Sequence, residues 1–194
     1  MSIETKYSSK QDYENRYKKG YGLIYPESHI IRVYKQVIEW EFGVKKGKIF
    51  DFGCGVGSNL KFFMEQGFTP FGCDVSETAV LKCKENLNQF QNNFFVNHPV
   101  PKITEETKER SFDIFLSNQV LYYLSDINIK KVSEQAWNML KKGGIFVVSM
   151  MSYECWYAKH ITGVSGDFKN IKLCSNRENL EFQLNFKIEE YSFF

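Results

Sequence analysis

The sequence predicts an α/β fold: an open, doubly wound, mostly parallel sheet with helices on both faces. Three observations predict it. Short apolar runs recur along the chain without in–out alternation, as in strands buried on both faces. Segments with apolar residues at three- and four-residue spacing separate these runs, and strand–helix–strand alternation builds parallel sheets. A glycine-rich turn, Gly53-Cys54-Gly55-Val56-Gly57, joins the first such strand to the helix after it. At 194 residues the chain has room for one substantial domain and not for two comfortable ones.

Taken in order, residues 1–27 are polar with interleaved tyrosines, Tyr7, Tyr13, Tyr17, Tyr21 and Tyr25, and read as an N-terminal extension holding one short helix. The rest of the chain, 28–194, reads as the domain proper. A helix is expected over 28–42, with Ile30, Ile31, Tyr34, Val37, Ile38 and Phe42 on one face and Gly43 as its stop. Residues 48–52 read as the first strand, 58–67 as a helix ended by Gly67, and 69–74 as the second strand. Residues 76–88 form a helix capped by Ser76, with Ala79, Val80, Cys83 and Leu87 as its buried stripe. Strands follow at 92–97 and 112–118. A helix over 126–142 faces Ile129, Val132, Ala136, Met139 and Leu140 inward and closes on Lys141, Lys142 and Gly143. A fifth strand spans 143–151, a Ser175-x-x-Glu178 capping box opens another helix, and 186–194 is a sixth strand.

Composition excludes several classes. Twenty-five Lys and Arg against 23 Asp and Glu leave a formal charge of +2, which gives no electrostatic footprint for a polynucleotide or an anionic membrane. No apolar run reaches membrane-spanning length, and the polar N-terminus lacks a signal-peptide core. The five cysteines show no Cys-x-x-Cys or Cys/His ligand spacing, so reduced, mostly buried thiols in a cytoplasmic protein are expected, and no metal site. The 18 Phe and 11 Tyr are accounted for mainly by a phenylalanine-rich core.

The glycine turn carries the chemistry. Glycines between a strand and a helix allow a tight turn and close backbone approach to a ligand. Two carboxylates sharpen the signal: Asp51 just before the turn, and Asp74 ending the second strand, 21 residues after Gly53, where an acid accepts hydrogen bonds from ribose hydroxyls. The spacing is Gly-x-Gly-x-Gly, with Ser58 following, and not the Gly-x-Gly-x-x-Gly of dinucleotide binders. An acid leading the turn disfavours a phosphate and favours a cationic group such as an α-ammonium. The bland alternatives are that Asp51 caps local backbone and that Asp74 merely precedes a helix.

Ile49-Phe50-Asp51-Phe52-Gly53-Cys54-Gly55-Val56-Gly57-Ser58, together with Asp74, resembles the S-adenosylmethionine site of class I, Rossmann-like methyltransferases. Residues 112–124 resemble that family's fourth-strand motif, and 140–150 its helix–fifth-strand junction. The resemblance implies S-adenosylmethionine as cofactor. It places Gly53, Gly55 and Gly57 along methionine and ribose, with Cys54 in the same turn, Asp51 toward the α-ammonium, and Asp74 with the adjoining Val75 at the ribose. Asn97 falls where the family contacts adenine, although the usual acid is absent there, and Asn118 and Gln119 fall near the methionine part.

A sugar hydroxyl acceptor must lose a proton in methyl transfer, whereas an anionic oxygen needs only orientation. The catalytic candidates are His29, His160, Tyr21 and Tyr123, with Glu154 outside them; packing or surface roles compete for each. Tyr17, Tyr21 and Tyr25 are candidates for an aromatic lid over the site, or for a helix face packed on the core, and Arg16, Lys18 and Lys19 read as a solvated charge run or as an attraction for an anionic acceptor. The fourth strand ends Ser117-Asn118-Gln119-Val120, without the Asn/Asp-Pro-Pro-aromatic signature of enzymes methylating exocyclic or glutamine nitrogens. The expected acceptor is therefore a small molecule, with no nucleic-acid partner. A weaker resemblance to methyltransferases of bacterial surface polysaccharides, capsule polysaccharide included, adds sugars and phosphoramidates. The rival readings are an NAD(P)-dependent oxidoreductase and a catalytically silent nucleoside-binding domain. The family's seventh strand is not evident, which would leave the sixth as an aromatic edge able to pair in a homodimer.

Overall fold

A computed structural model describes residues 9–97 and 111–150. The chain divides into two compact units, Met1–His98 and Pro99–Phe194.

The first unit opens with α1 (Ser9–Lys18) and the short α2 (Ser28–Arg32). Strands β1 (Gly47–Phe52), β2 (Phe68–Asp74) and β3 (Phe94–Val96) alternate with α3 (Ser58–Glu65) and α4 (Glu77–Asn86). β2 lies between its two partners, and both pairings are parallel: Asp51 stands opposite Gly72, and Asp74 opposite Val96. Ile49, Phe50 and Phe52 of β1 are buried, as non-alternating strands require. Beneath the sheet Tyr34, Phe62, Phe63 and Phe68 pack edge to face, with Tyr34 5.5 Å from both Phe62 and Phe63 and 6.0 Å from Phe68, a geometry that suits the ring quadrupoles. The high aromatic content is here a packing feature.

The second unit pairs β4 (Phe112–Asn118) with β5 (Leu140–Ser149) in parallel through α5 (Asp126–Met139). Ile114, Phe115 and Leu116 are buried, and Phe115 meets Phe146 edge to face at 5.2 Å.

Three expected elements are corrected. The helix expected over 28–42 leaves α-geometry after Arg32 and winds with the wider π-helical pitch over Val33–Glu41; Phe42 N donates to Val37 O five residues back. Tyr34, Val37 and Ile38 are buried, while Ile31 and Phe42 of the expected apolar face stand exposed. The strand expected at 92–97 is confined to Phe94–Val96, because Asn88–Asn93 coil as 3-10 turns. Finally, α5 stops at Met139, and Lys141, Lys142 and Gly143 belong to β5 instead of ending the helix. Phe112 pairs with Leu140 and Ile114 with Ile145, so two steps along β4 match five along β5. The extra residues form a bulge that Gly143 turns with φ +79°, and Lys141 Nζ bonds the Asp113 carboxylate at 2.9 Å beside it.

The Ser175–Glu178 capping box, the sixth strand and the edge proposed for a dimer lie outside the described residues.

Candidate functional site

The glycine turn leaves β1 and is held against β2 by backbone bonds, from Gly53 N and Cys54 N to Cys73 O at 2.8 and 3.0 Å. Gly57 then closes the turn onto Cys54 O at 2.9 Å and begins α3. Its φ of +86° is the left-handed region, and a Cβ there would lie 2.8 Å from Cys83 Sγ. On the facing strand Gly72 also has room for hydrogen only: a Cβ would sit 2.9 Å from Cys54 Cβ and 3.0 Å from Asp51 O.

Both carboxylates are buried, Asp51 at 1% exposure and Asp74 at 8%. Their surroundings differ. Asp74 Oδ2 accepts from Gly55 N and Oδ1 from Ser76 N, each at 2.9 Å. Val75 N also donates to it. Burial raises the Asp74 carboxyl, and these three N–H groups oppose the rise. Neither oxygen of Asp51 has a hydrogen-bond partner. Burial, and then the neighbouring charge of Asp74, push its carboxyl up to about 8. A buried acid without donors is costly, and a cationic group brought beside it removes that cost. The pair therefore suits a ligand that carries a cation at one end and hydroxyl donors at the other.

Around the pair, Asn97 N donates to Asp74 O at 3.0 Å, and the Asn97 side chain meets the Cys73 thiol. Cys54, Cys73 and Cys83 are buried free thiols; a hydrogen bond with Cys83 and then burial push the Cys54 thiol up, and burial pushes the Cys73 thiol up.

The N-terminal segment lies across this turn. Tyr17 of α1 is buried, and its hydroxyl would be 2.8 Å from a Cβ on Gly55, which only glycine at 55 permits. Burial first, and Asp74 second, raise the Tyr17 hydroxyl's pKa. Tyr21 stacks edge-on against it at 5.5 Å and Tyr13 tilts against it at 6.2 Å. Lys82 Nζ bonds Tyr17 O, and Ser58 Oγ bonds Leu23 O. Glu14 accepts from Ser76 Oγ at 2.5 Å, from Thr78 N at 3.3 Å and from Thr78 Oγ. Those hydroxyl bonds lower its carboxyl to about 2. Sequence reasoning found Ser76 as the helix cap, confirmed by its bond from Ala79 N, but not Glu14.

Of the catalytic candidates, Tyr21 is half exposed above Tyr17; Tyr25, a candidate for the aromatic lid only, stands in solvent. His29 Nδ1 lies 3.4 Å from Glu27 Oε2 in the first turn of α2. In the second unit, Asn118 Oδ1 accepts from Ser149 Oγ at 2.5 Å, and Gln119 N donates to that hydroxyl at 2.8 Å. Gln119 is left-handed at φ 58°, the one non-glycine residue so placed among the described residues, which marks a strained exit from β4. Ser117 Oγ is buried without a partner, and Tyr123 is exposed against Tyr122 at 4.5 Å. His160 and Glu154 lie outside the described residues.

Comparison with known proteins separates the methyltransferase reading from the oxidoreductase one. The sequence pattern of a family described as a methyltransferase domain matches residues 50–146, half of the chain. The chain belongs to that family. This methyltransferase is 31% identical over 88 residues to an uncharacterized protein of Haemophilus influenzae, covering 43% of this chain and 34% of that one. It is 28% identical over 108 residues to a carboxy-S-adenosyl-L-methionine synthase of Vibrio atlanticus, covering 52% and 43%. A TehB-like S-adenosylmethionine-dependent methyltransferase structure from Corynebacterium glutamicum superposes with a TM-score of 0.53 at 22% identity, covering 84% of this chain and 78% of that one, and shares its fold. The matched regions span between a fifth and just over half the length of the curated relatives. The doubly wound, Rossmann-like fold and S-adenosylmethionine as cofactor thus stand, in place of the oxidoreductase alternative. No helix among the described residues of this methyltransferase is long and apolar enough to cross a membrane.

Proposed function

We propose that this methyltransferase acts on an oxygen of a small acceptor, a sugar or phosphoramidate group of a surface-polysaccharide precursor included. The observation that carries the reading is the cover over the glycine turn. Tyr17 is buried on Gly55, with Tyr13 and Tyr21 packed around it, so the chain's own N-terminal segment takes space that an open polymer groove would need. The end of β4, without the signature of nitrogen-methylating enzymes, supports oxygen over nitrogen.

When bound, S-adenosylmethionine supplies a methyl group made electrophilic by its sulfonium. In this reading Asp51 holds the α-ammonium and Asp74 the ribose hydroxyls. Gly53, Gly55 and Gly57 let the backbone lie along methionine and ribose, and Asn97 faces the adenine. Tyr21, Tyr123, His29 and His160 remain the candidates to take a proton from a neutral hydroxyl; an anionic oxygen needs none.

Thermal unfolding with S-adenosylmethionine, S-adenosylhomocysteine, NAD and NADP tests the cofactor site. A ligand at a hundred times its Kd adds about 2.7 kcal/mol, and only the two sulfur nucleosides are expected to do so. An acceptor panel read by S-adenosylhomocysteine release then tests the substrate class. Turnover with sugars, sugar phosphates or phosphoramidates supports the reading; turnover confined to amines or RNA overturns it.

A further inference from the structure

Glu14 belongs to no motif, yet its carboxylate takes three hydrogen bonds from the start of α4: Ser76 Oγ, Thr78 N and Thr78 Oγ. On its outer side Lys18 Nζ pairs with it at 3.4 Å. Ser76 is also the residue whose N–H fixes Asp74 Oδ1, while Gly55 N fixes Oδ2. Three residues further along α1, close to one helical turn, Tyr17 presses on Gly55. Two of the three N–H contacts that orient the Asp74 carboxylate are thus backed by α1, Ser76 by Glu14 and Gly55 by Tyr17. Two short hydroxyl bonds to one carboxylate form a charge-assisted clamp, stronger than neutral hydrogen bonds.

We infer that Glu14 is a positioning residue for the cofactor, acting through Ser76 on the orientation of Asp74. The inference rests on the reading of Asp74 as the ribose site. Glu14 touches no ligand in this arrangement. It holds the turn that aims the acid which does. A Glu14→Gln side chain keeps one acceptor oxygen and loses the charge. Thr78→Val weakens the clamp from its other side and leaves Ser76 and Asp74 intact.

The experiment measures Kd by calorimetry for S-adenosylhomocysteine and for its 2′-deoxyribose counterpart, with the melting temperature of each ligand-free variant as the folding control. Hydrogen bonds to a charged group predict about tenfold weaker S-adenosylhomocysteine binding in Glu14→Gln, and a smaller loss in Thr78→Val. The deoxy ligand, which lacks one of the hydroxyls Asp74 would hold, should weaken by less than about threefold. Unchanged Kd values in both variants would overturn the inference alone. Equal weakening of both ligands would also overturn it, making Glu14 a staple for α1 with no bearing on the ribose. A wild-type protein that does not bind S-adenosylhomocysteine would overturn the cofactor-site reading, and this inference with it.

Discussion

Replacing Asp51 by asparagine should stabilise the free protein at alkaline pH and abolish its cofactor binding. The carboxyl is buried without a donor, and burial and then Asp74 carry it from an ordinary 3.8 up to about 8. The unfolded chain loses this proton near 4 and the folded chain holds it to about 8. Between those values the folded state binds the extra proton, so stability falls as pH rises. The contribution is fully present below about pH 4 and gone above about 8. Each unit of that window changes the folding equilibrium about tenfold, so the whole window amounts to on the order of 5 kcal/mol. Asparagine never ionises and carries no such slope, though its buried amide costs about 1 kcal/mol. Thermal melts of both proteins at pH 4 and 8.5 should therefore cross, with the variant slightly lower at pH 4 and higher by about 10 °C at pH 8.5. Binding a cationic ligand group forces Asp51 to ionise. Wild-type affinity for S-adenosylmethionine should therefore tighten from pH 6 to 8 and release up to about one proton, read as a calorimetric heat that depends on the buffer. Parallel melting curves for the two proteins, with no buffer dependence of binding, would refute the reasoning.

Gly57→Ala places a Cβ 2.8 Å from Cys83 Sγ and 3.1 Å from Leu87 Cδ1 on a left-handed backbone. It should cost about 2–4 kcal/mol in urea unfolding, with Cys83→Ala restoring only the packing part. Asp74→Asn should weaken S-adenosylhomocysteine binding about a hundredfold by calorimetry. It should also move the midpoint of the affinity–pH profile downward, because Asp51 then loses the negative neighbour that helps raise it.

The residues that announced themselves in the sequence are those whose role is local. Gly53, Gly55 and Gly57 take left-handed φ values of 86°, 54° and 86°, and a turn between strand and helix is where such residues are sought. The stripe Ala79, Val80, Cys83 and Leu87 is buried as its spacing implied. What stayed illegible depends on partners far along the chain. Glu14 meets Ser76 and Thr78 across 62 and 64 residues, and nothing in its polar neighbourhood marks it. Tyr17, Tyr21 and Tyr25 look alike in sequence, yet the first is buried, the second half covered and the third in solvent. The end of α5 was misplaced because Lys141, Lys142 and Gly143 are what a helix terminus prefers, while the register between Phe112 and Ile114 required them in a bulge. The switch to π-helical winding after Arg32 leaves apolar spacing almost unchanged and is therefore invisible to a periodicity count.

Gly72 touches no ligand in any of these readings, yet it sets how closely β2 can lie behind the turn. With Cys54 Cβ, Asp51 O and Leu60 Cδ1 all within 3.1 Å of where its side chain would begin, a methyl group there would push the two strands apart at the level of Asp51. Anyone redesigning this protein for a different nucleotide should therefore begin in the sheet. A longer, phosphate-cradling turn grafted onto β1 would still be pressed against a strand with space for a single hydrogen atom, and would inherit the old spacing whatever its own sequence.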